Sequence, residues 1–175
     1  MTIVLRTDRL TLRELEPDDI DFVAEMLADP EVMRFYPKPL TLEESRTWIQ
    51  KQRARYAANG HGLWLVTEVH SGRPVGQVGL LIQQVGEEEH PEIGYLVHRP
   101  YWRQGFASEA AAAVRDQAFW DRGYGHVISL IRPENVASVG VATGLGMRPT
   151  GQVVWAGFDH LLLRLERESS TGGAA

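Results

Sequence analysis

The chain has 175 residues, of which 43% are hydrophobic, and its 18 basic and 23 acidic residues give a net charge of −5. This size and composition predict one globular domain, and the absence of cysteine excludes disulfides, thiolate metal sites and a cysteine nucleophile. Without a cluster of Lys and Arg, a signal sequence or about 18 consecutive apolar residues, we expect a soluble cytoplasmic protein with no nucleic-acid or membrane partner.

The first half of the chain predicts a strand, two helices and a hairpin. Residues 9–14 alternate polar and apolar side chains, as in a half-buried strand. Pro17 marks the start of a helix, and Thr41 with Glu44 has the spacing of a capping box that opens a second helix. The predicted elements are a strand at 9–14, helices from Pro17 to before Asp29 and from Thr41 to about Asn59, and hairpin strands at Leu63–Val69 and Val75–Ile82.

The second half predicts strands and helices in alternation after an acidic turn at Glu87–Glu89. Gly123 stops a long helix, and a second helix follows the next strand. The predicted elements are strands at Glu92–His98, Val127–Ile131, Gly151–Trp155 and His160–Leu165, and helices at about Ser108–Arg122 and Asn135–Gly144. This order predicts one α/β domain over residues 1–167, built on a mixed sheet flanked by helices, with a disordered tail at 168–175.

The stretch PYWRQGFASEA connects a predicted strand to an alanine-rich helix. The first N–H groups of a helix lack partners and carry partial positive charge, so such a loop can bind an anion. Gly105 and the small Ala107 would let the amides of residues 103–108 converge on a pyrophosphate. The alternative is an ordinary turn before a good helix; a Walker loop and a dinucleotide fingerprint are both absent.

Gly94 lies inside the predicted strand EIGYLV. Glycine in a strand often marks a bulge or the close approach of a ligand, and a bulge here would free backbone N–H groups. Such groups can stabilise a carbonyl oxygen that gains negative charge, typically worth about 10²- to 10³-fold in rate per donor.

Together these segments resemble the GNAT superfamily of acyl-CoA-dependent N-acetyltransferases, in particular its RimJ/RimL-like group. The resemblance rests on TDRLTLREL, EIGYLV, YWRQGFASEA and ENVASVGVATGLGM in that order, and covers about Thr7 to Leu165. It implies a mostly antiparallel mixed sheet in which a splayed strand pair holds acetyl-CoA, the co-substrate, with no metal.

The resemblance also implies roles for individual residues. The pyrophosphate would lie on the loop and the pantetheine arm would pair with the backbone of the glycine-bearing strand and contact the late helix. The implied cofactor-binding residues are Arg103, Gln104, Gly105, Phe106, Ala107, Ser108, Leu96, Val97 and Asn135.

For catalysis we predict Glu92 as the general base, directly or through a water; its alternative is a solvated strand end. The tyrosine with which the superfamily often protonates the leaving thiolate is replaced here by Ala142. Ser138 is the candidate acid, although it could instead bond the local backbone, and a bound water could serve.

The acceptor is predicted to be a primary amine, either a protein N-terminus or a small molecule, with an α-amine favoured over lysine because of its lower pKa. In the family the first two helices form one wall of the acceptor site, so we predict substrate contacts from Phe35, Tyr36, Trp48 and Trp64, which could alternatively be core residues. The histidines show no metal-binding spacing. The alternative function is a CoA-binding domain without catalysis, and a homodimer is left open.

Overall fold

A computed structural model describes residues 2–168, which form one mixed sheet of eight strands with four α-helices packed against it. The strands are β1 Ile3–Arg6, β2 Leu10–Arg13, β3 Leu63–Glu68, β4 Pro74–Val85, β5 Glu88–Val97, β6 His126–Ile131, β7 Arg148–Trp155 and β8 Phe158–Glu166. The helices are α1 Ile20–Ala28, α2 Leu42–Asn59, α3 Phe106–Asp116 and α4 Val136–Gly144. The predicted α/β class is therefore confirmed; residues 169–175 of the predicted tail lie outside the described residues.

The strands follow the order β1-β2-β3-β4-β5-β6-β8-β7, and only β5 and β6 run parallel. The sequence prediction missed β1, because the four residues IVLR of this short edge strand do not alternate between polar and apolar. It also placed Glu88 and Glu89 in a turn, whereas both begin β5. Their side chains stay exposed at the start of the β4–β5 hairpin, so the sheet accommodates their charges without burying them.

Local signals in the sequence set the helix ends. Thr41 accepts a hydrogen bond from the Glu44 backbone N–H and donates its own N–H to the Glu44 carboxylate, which confirms the capping box. The long helix begins earlier than predicted, at Phe106, and continues as a π-helical turn over Gln117–Asp121. Gly123 follows with φ of +75°, the left-handed conformation expected of a helix stop.

Two hydrophobic clusters lie on opposite faces of the sheet. The larger contains Trp64, Ile93 and Phe106 with the buried faces of α3 and α4. The smaller contains Leu15, Met26 and neighbours from α1 and α2. The sheet between them carries the features that build the site.

Backbone pairing between β5 and β6 is confined to one position, where Glu92 pairs with Ile128. Beyond it the strands diverge toward the carboxyl end of β5. On its other edge β5 pairs with β4 in unbroken register from Val85–Glu88 to Gly76–Val97. Of the two alternatives for Gly94, a bulge is therefore not observed: the unpaired backbone groups arise because β6 departs from β5, not because a residue is inserted.

Gly79 lies where β3 approaches β4 too closely for a side chain. A Cβ atom at this position would lie 1.9 Å from the Gly62 carbonyl oxygen and 2.8 Å from the Leu63 Cα. We predict that Gly79→Ala lowers the free energy of unfolding by about 1–3 kcal/mol, because the backbone must move. Gly151→Ala is the control, since a Cβ there meets nothing within 4 Å. Equal urea midpoints for the two variants would contradict the prediction.

Candidate active site

A cavity of about 940 Å³ follows the divergence of β5 and β6. Its wall on one side comes from α2 and from residues 31–37, which follow α1. The loop before α3, the start of α4 and the turn between β7 and β8 complete it. This volume is within the range of small-molecule sites, so the splayed strands open onto a binding site of suitable size.

The loop before α3 presents free backbone donors to this cavity. Gly105 has φ of +79° and Arg103 has φ of +60°, so two left-handed residues bend the chain just before the helix starts at Phe106. None of the N–H groups of residues 103–108 donates a hydrogen bond to another group in the described chain. The first backbone bond is made by Glu109, which donates to the Gly105 carbonyl. The arrangement matches the predicted anion cradle.

Residues of the turn between β1 and β2 hydrogen-bond to this loop and to the first turn of α3, a contact that the sequence analysis missed. Arg9 donates from Nε to the Glu109 carboxylate at 2.6 Å and from Nη1 to the Gln104 carbonyl at 3.0 Å. Its guanidinium also lies 4.9 Å from the centre of the Phe106 ring. Thr7 donates a further bond to Glu109. The cradle is thus held by side chains about 100 residues away in sequence, which local patterns do not reveal.

The register between β4 and β5 determines which backbone groups of β5 face the gap between β5 and β6. His98 donates its N–H to Val75 on β4, so in antiparallel pairing Leu96 and Gly94 also face β4. Ile93, Tyr95 and Val97 face the opposite edge. Two observed bonds agree: Ser129 donates its hydroxyl to the Ile93 carbonyl, and the Trp102 indole donates to the Val97 carbonyl.

This orientation corrects one prediction and adds a residue. Leu96 lines the cavity, but its backbone is turned to β4, so backbone pairing of Leu96 with a ligand is wrong. Tyr95 was not predicted, although its N–H and C=O face the splay. Val97 faces it as predicted, with its carbonyl already accepting the bond from Trp102.

Glu92 lies at the point where β5 and β6 separate. Its carboxylate accepts a hydrogen bond from the backbone N–H of Leu130 at 3.1 Å, in place of a missing backbone partner. Burial raises the pKa of the Glu92 carboxyl to about 7, although the Leu130 N–H and the charge of Arg55 act in the opposite direction. A carboxyl that titrates near neutral pH at the closed end of a cavity suits a general base.

The start of α4 forms the wall across from β5. The Asn135 side-chain oxygen caps the helix by accepting the Ser138 backbone N–H at 3.2 Å. The Asn135 amide nitrogen and the Ser138 hydroxyl both belong to cavity-lining residues and bond to no other residue among 2–168. Both are available to a ligand, so the alternative of a locally bonded Ser138 hydroxyl is not observed. Tyr95 donates its phenol hydroxyl to the Ser138 carbonyl at 2.6 Å.

Three of the four predicted acceptor-site aromatics line the cavity: Phe35, Tyr36 and Trp48. Trp64 is fully buried in the core on the opposite face of the sheet, so its prediction is wrong. Side chains alternate along β3, and that alternation places Leu63 on the cavity side and Trp64 on the other.

In the part of the chain that the structure describes, no helix combines the length and the hydropathy needed to cross a membrane. Over the same residues, no group of three or more His, Asp or Glu side chains is placed to hold a metal ion.

Comparison with known proteins gives consistent matches. A family model described as an acetyltransferase (GNAT) domain matches residues 9–148. The uncharacterized protein YkkB of Bacillus subtilis is 35% identical over 144 residues, covering 82% of this chain and 84% of YkkB. The uncharacterized N-acetyltransferase YnaD of the same species is 29% identical over 172 residues, covering 93% and 98%. A crystal structure of an acetyltransferase from Agrobacterium tumefaciens superposes with a TM-score of 0.81 at 28% identity, covering 95% and 96%.

The raised pKa of Glu92 predicts a stability effect with a defined sign. The unfolded carboxyl ionises near 4.5 and the folded one near 7, so the folded state loses stability as the pH rises between these values. Glu92→Gln removes the charge and keeps an oxygen for the Leu130 N–H. We therefore expect Glu92→Gln to raise the melting temperature at pH 8, with the gain shrinking toward pH 4.5. A variant that is less stable than the wild type at pH 8 would contradict this account.

Proposed function

The chain belongs to the GNAT acetyltransferase family, and from this premise we propose that it transfers the acetyl group of acetyl-CoA to a primary amine by direct attack within a ternary complex. Membership makes it an acetyl-CoA-dependent acyltransferase. The nature of the acceptor, either a protein N-terminal α-amine or a small-molecule amine, is part of the proposal. So is membership of the RimJ/RimL-like group. Direct attack is favoured because the chain has no cysteine that could carry the acetyl group.

The observation that carries the proposal is the set of unpaired amides at residues 103–108, next to the splayed strands. A diphosphate supplies the acceptors that these amides lack, and the helix dipole of α3 adds to the attraction. Tyr95, Val97 and Asn135 offer backbone and amide groups to an extended amide-containing arm. The residues present therefore fit acetyl-CoA, which supplies an acetyl group activated as a thioester.

Glu92 is proposed to take the proton from the attacking amine. Its pKa of about 7 leaves it largely ionised at pH 7.5 to 8, where an α-amine of pKa 7.7–8.0 is also partly unprotonated. A lysine amine with a pKa near 10.4 requires about 3.4 kcal/mol more for deprotonation. A base of this strength, typically worth about 10²- to 10⁴-fold, therefore suits an α-amine better than a lysine side chain.

The departing thiolate needs a proton, and Ala142 is fully buried where the family often has tyrosine. Ser138 is proposed to donate this proton, since its hydroxyl lines the cavity and bonds to no other described group. A bound water is the alternative donor. The missing tyrosine is also the one feature that favours a non-catalytic CoA-binding domain, which direct assays can exclude.

We predict that Gly105→Asp reduces CoA affinity far more than Gly105→Asn. Both side chains impose the same strain at a φ of +79°, but only aspartate brings a negative charge to the phosphates. The expected difference is about tenfold or more in the dissociation constant, measured by calorimetry and decreasing at high salt. Equal affinities for the two variants would refute the anion cradle.

We predict steady release of free thiol from acetyl-CoA when α-amine peptides are added, with a higher kcat/KM than for Nα-blocked lysine peptides. The rate should rise with pH through about 7, where Glu92 ionises. Glu92→Gln should lower kcat most above pH 7, where the wild-type carboxylate can accept the proton, and least at low pH, where Glu92 is already protonated. Tight CoA binding without turnover over a broad amine panel would favour the non-catalytic alternative.

A further inference from the structure

Three cationic side chains lie on the α2 side of the cavity. Arg34, Lys51 and Arg55 all line it, and none forms an ion pair within 4.0 Å among residues 2–168. Glu31 is the one unpaired carboxylate on the same wall. Resting on the function proposed above, we propose that the acceptor is an amine carrying a carboxylate a few bonds from its nitrogen, and that Arg55 binds this carboxylate.

The wall is built by one stripe of α2. Trp48, Lys51 and Arg55 follow each other at intervals of three and four residues, which places them on one face of the helix. All three line the cavity. Trp48 donates its indole N–H to Gln77, the β4 residue paired with Leu96, so this end of the stripe lies toward the carboxyl end of β5.

Arg55 lies at the other end, near the point where β5 and β6 separate. Its Cβ is 3.4 Å from where a Gly62 Cβ would lie, and the neighbouring Leu63 is in register with Gly79 and through it with Gly94. The base of the Arg55 side chain therefore lies on the Glu92 side of the cavity, and the positive charge of Arg55 acts on the Glu92 carboxylate. A ligand anion at Arg55 belongs to the acceptor and not to the diphosphate of CoA.

Arg55 is not needed as the partner of Glu92. The Glu92 carboxylate is bonded to the Leu130 N–H, and the two side chains do not form an ion pair. The guanidinium donates one bond, from Nη1 to Gln52 at 3.2 Å, and keeps its other donors. A half-buried guanidinium with free donors fits a carboxylate bidentately.

Because Glu92 and Arg55 lie at the same end of the cavity, they limit how far apart the amine and the anion of the acceptor can be. An amine at Glu92 and an anion at Arg55 must be joined by a short chain, as in a free amino acid or in a peptide with an acidic residue next to its N-terminus. The Phe35, Tyr36 and Trp48 rings provide apolar surface for the remaining part of either molecule.

The test compares acceptors that differ in charge and little else. Ala-Glu amide and Ala-Gln amide have matched α-amines and nearly the same shape, and represent the peptide source. Alanine and alaninamide, compared at equal concentrations of unprotonated amine, represent the amino-acid source. We expect kcat/KM for the charged member of at least one pair to exceed that of the neutral member by about tenfold or more.

Substitutions of Arg55 test whether this side chain causes the preference for charged acceptors. Arg55→Met should reduce the charged-to-neutral ratio to about one, and Arg55→Lys should retain part of it, with KM for acetyl-CoA unchanged in both. The ratio is taken within one enzyme, so any change in the basicity of Glu92 cancels. Arg53→Met is the matched control, because Arg53 lies on the same helix outside the cavity and donates to the Leu15 carbonyl.

Two results would overturn the inference while leaving the proposed function intact. One is a ratio of about one or less for both pairs in the wild type. The other is an equal loss of preference in Arg53→Met and Arg55→Met. Absence of acetylation for every amine would instead refute the proposed function on which the inference rests.

Discussion

The interruption of backbone pairing between β5 and β6 is the constraint on which the site depends. A strand inside a sheet normally satisfies its N–H and C=O groups on both edges, and unpaired buried groups cost free energy. Here three side chains replace part of the missing ladder: Glu92 accepts from Leu130, Ser129 donates to Ile93, and Trp102 donates to Val97. These bonds allow the strands to separate while Tyr95 keeps its backbone groups directed at the cavity. These hydrogen bonds therefore satisfy part of the backbone that the departure of β6 leaves unpaired.

One of these bonds also fixes the position of Glu92, the proposed general base. Glu92 substitutes for a ladder partner, so it must lie at the fork, and this position is buried enough to raise its pKa to about 7. A carboxyl in this state weakens the fold above neutral pH, as expected where function and stability compete. The proposed base is thus also the residue that closes the end of the splay.

Local sequence patterns correctly predicted helix ends and turn conformations, because these depend on residues close together in the chain. The capping box at Thr41, the helix stop at Gly123 and the unusual backbone conformation at Gly105 each depend on a few neighbouring residues, and each is observed. The predictions that failed depend on partners distant in sequence. The sequence around Gly94 does not show that β6 departs from β5, so a bulge was a reasonable alternative there. The role given to Leu96 depends on the register of β5 with β4, and the role given to Trp64 depends on which face of the sheet its side chain occupies. For the same reason Arg9 and Tyr95 were missed, whereas the spacing of Trp48, Lys51 and Arg55 could have indicated a charged face on α2.

The two anion sites that we propose, at opposite ends of the cavity, use different kinds of donor group. At residues 103–108 the donors are backbone amides, whose direction is set by two left-handed residues and a helix start, while the Arg9 and Glu109 side chains hold the loop in place. At the fork the proposed donor is the side chain of Arg55, which lies on the face of α2 that lines the cavity. A shared co-substrate requires the first kind of site, because it is the same molecule in every turnover. An acceptor requires the second kind, because a side chain can discriminate one class of amine from another while the bond-forming geometry at Glu92 stays fixed.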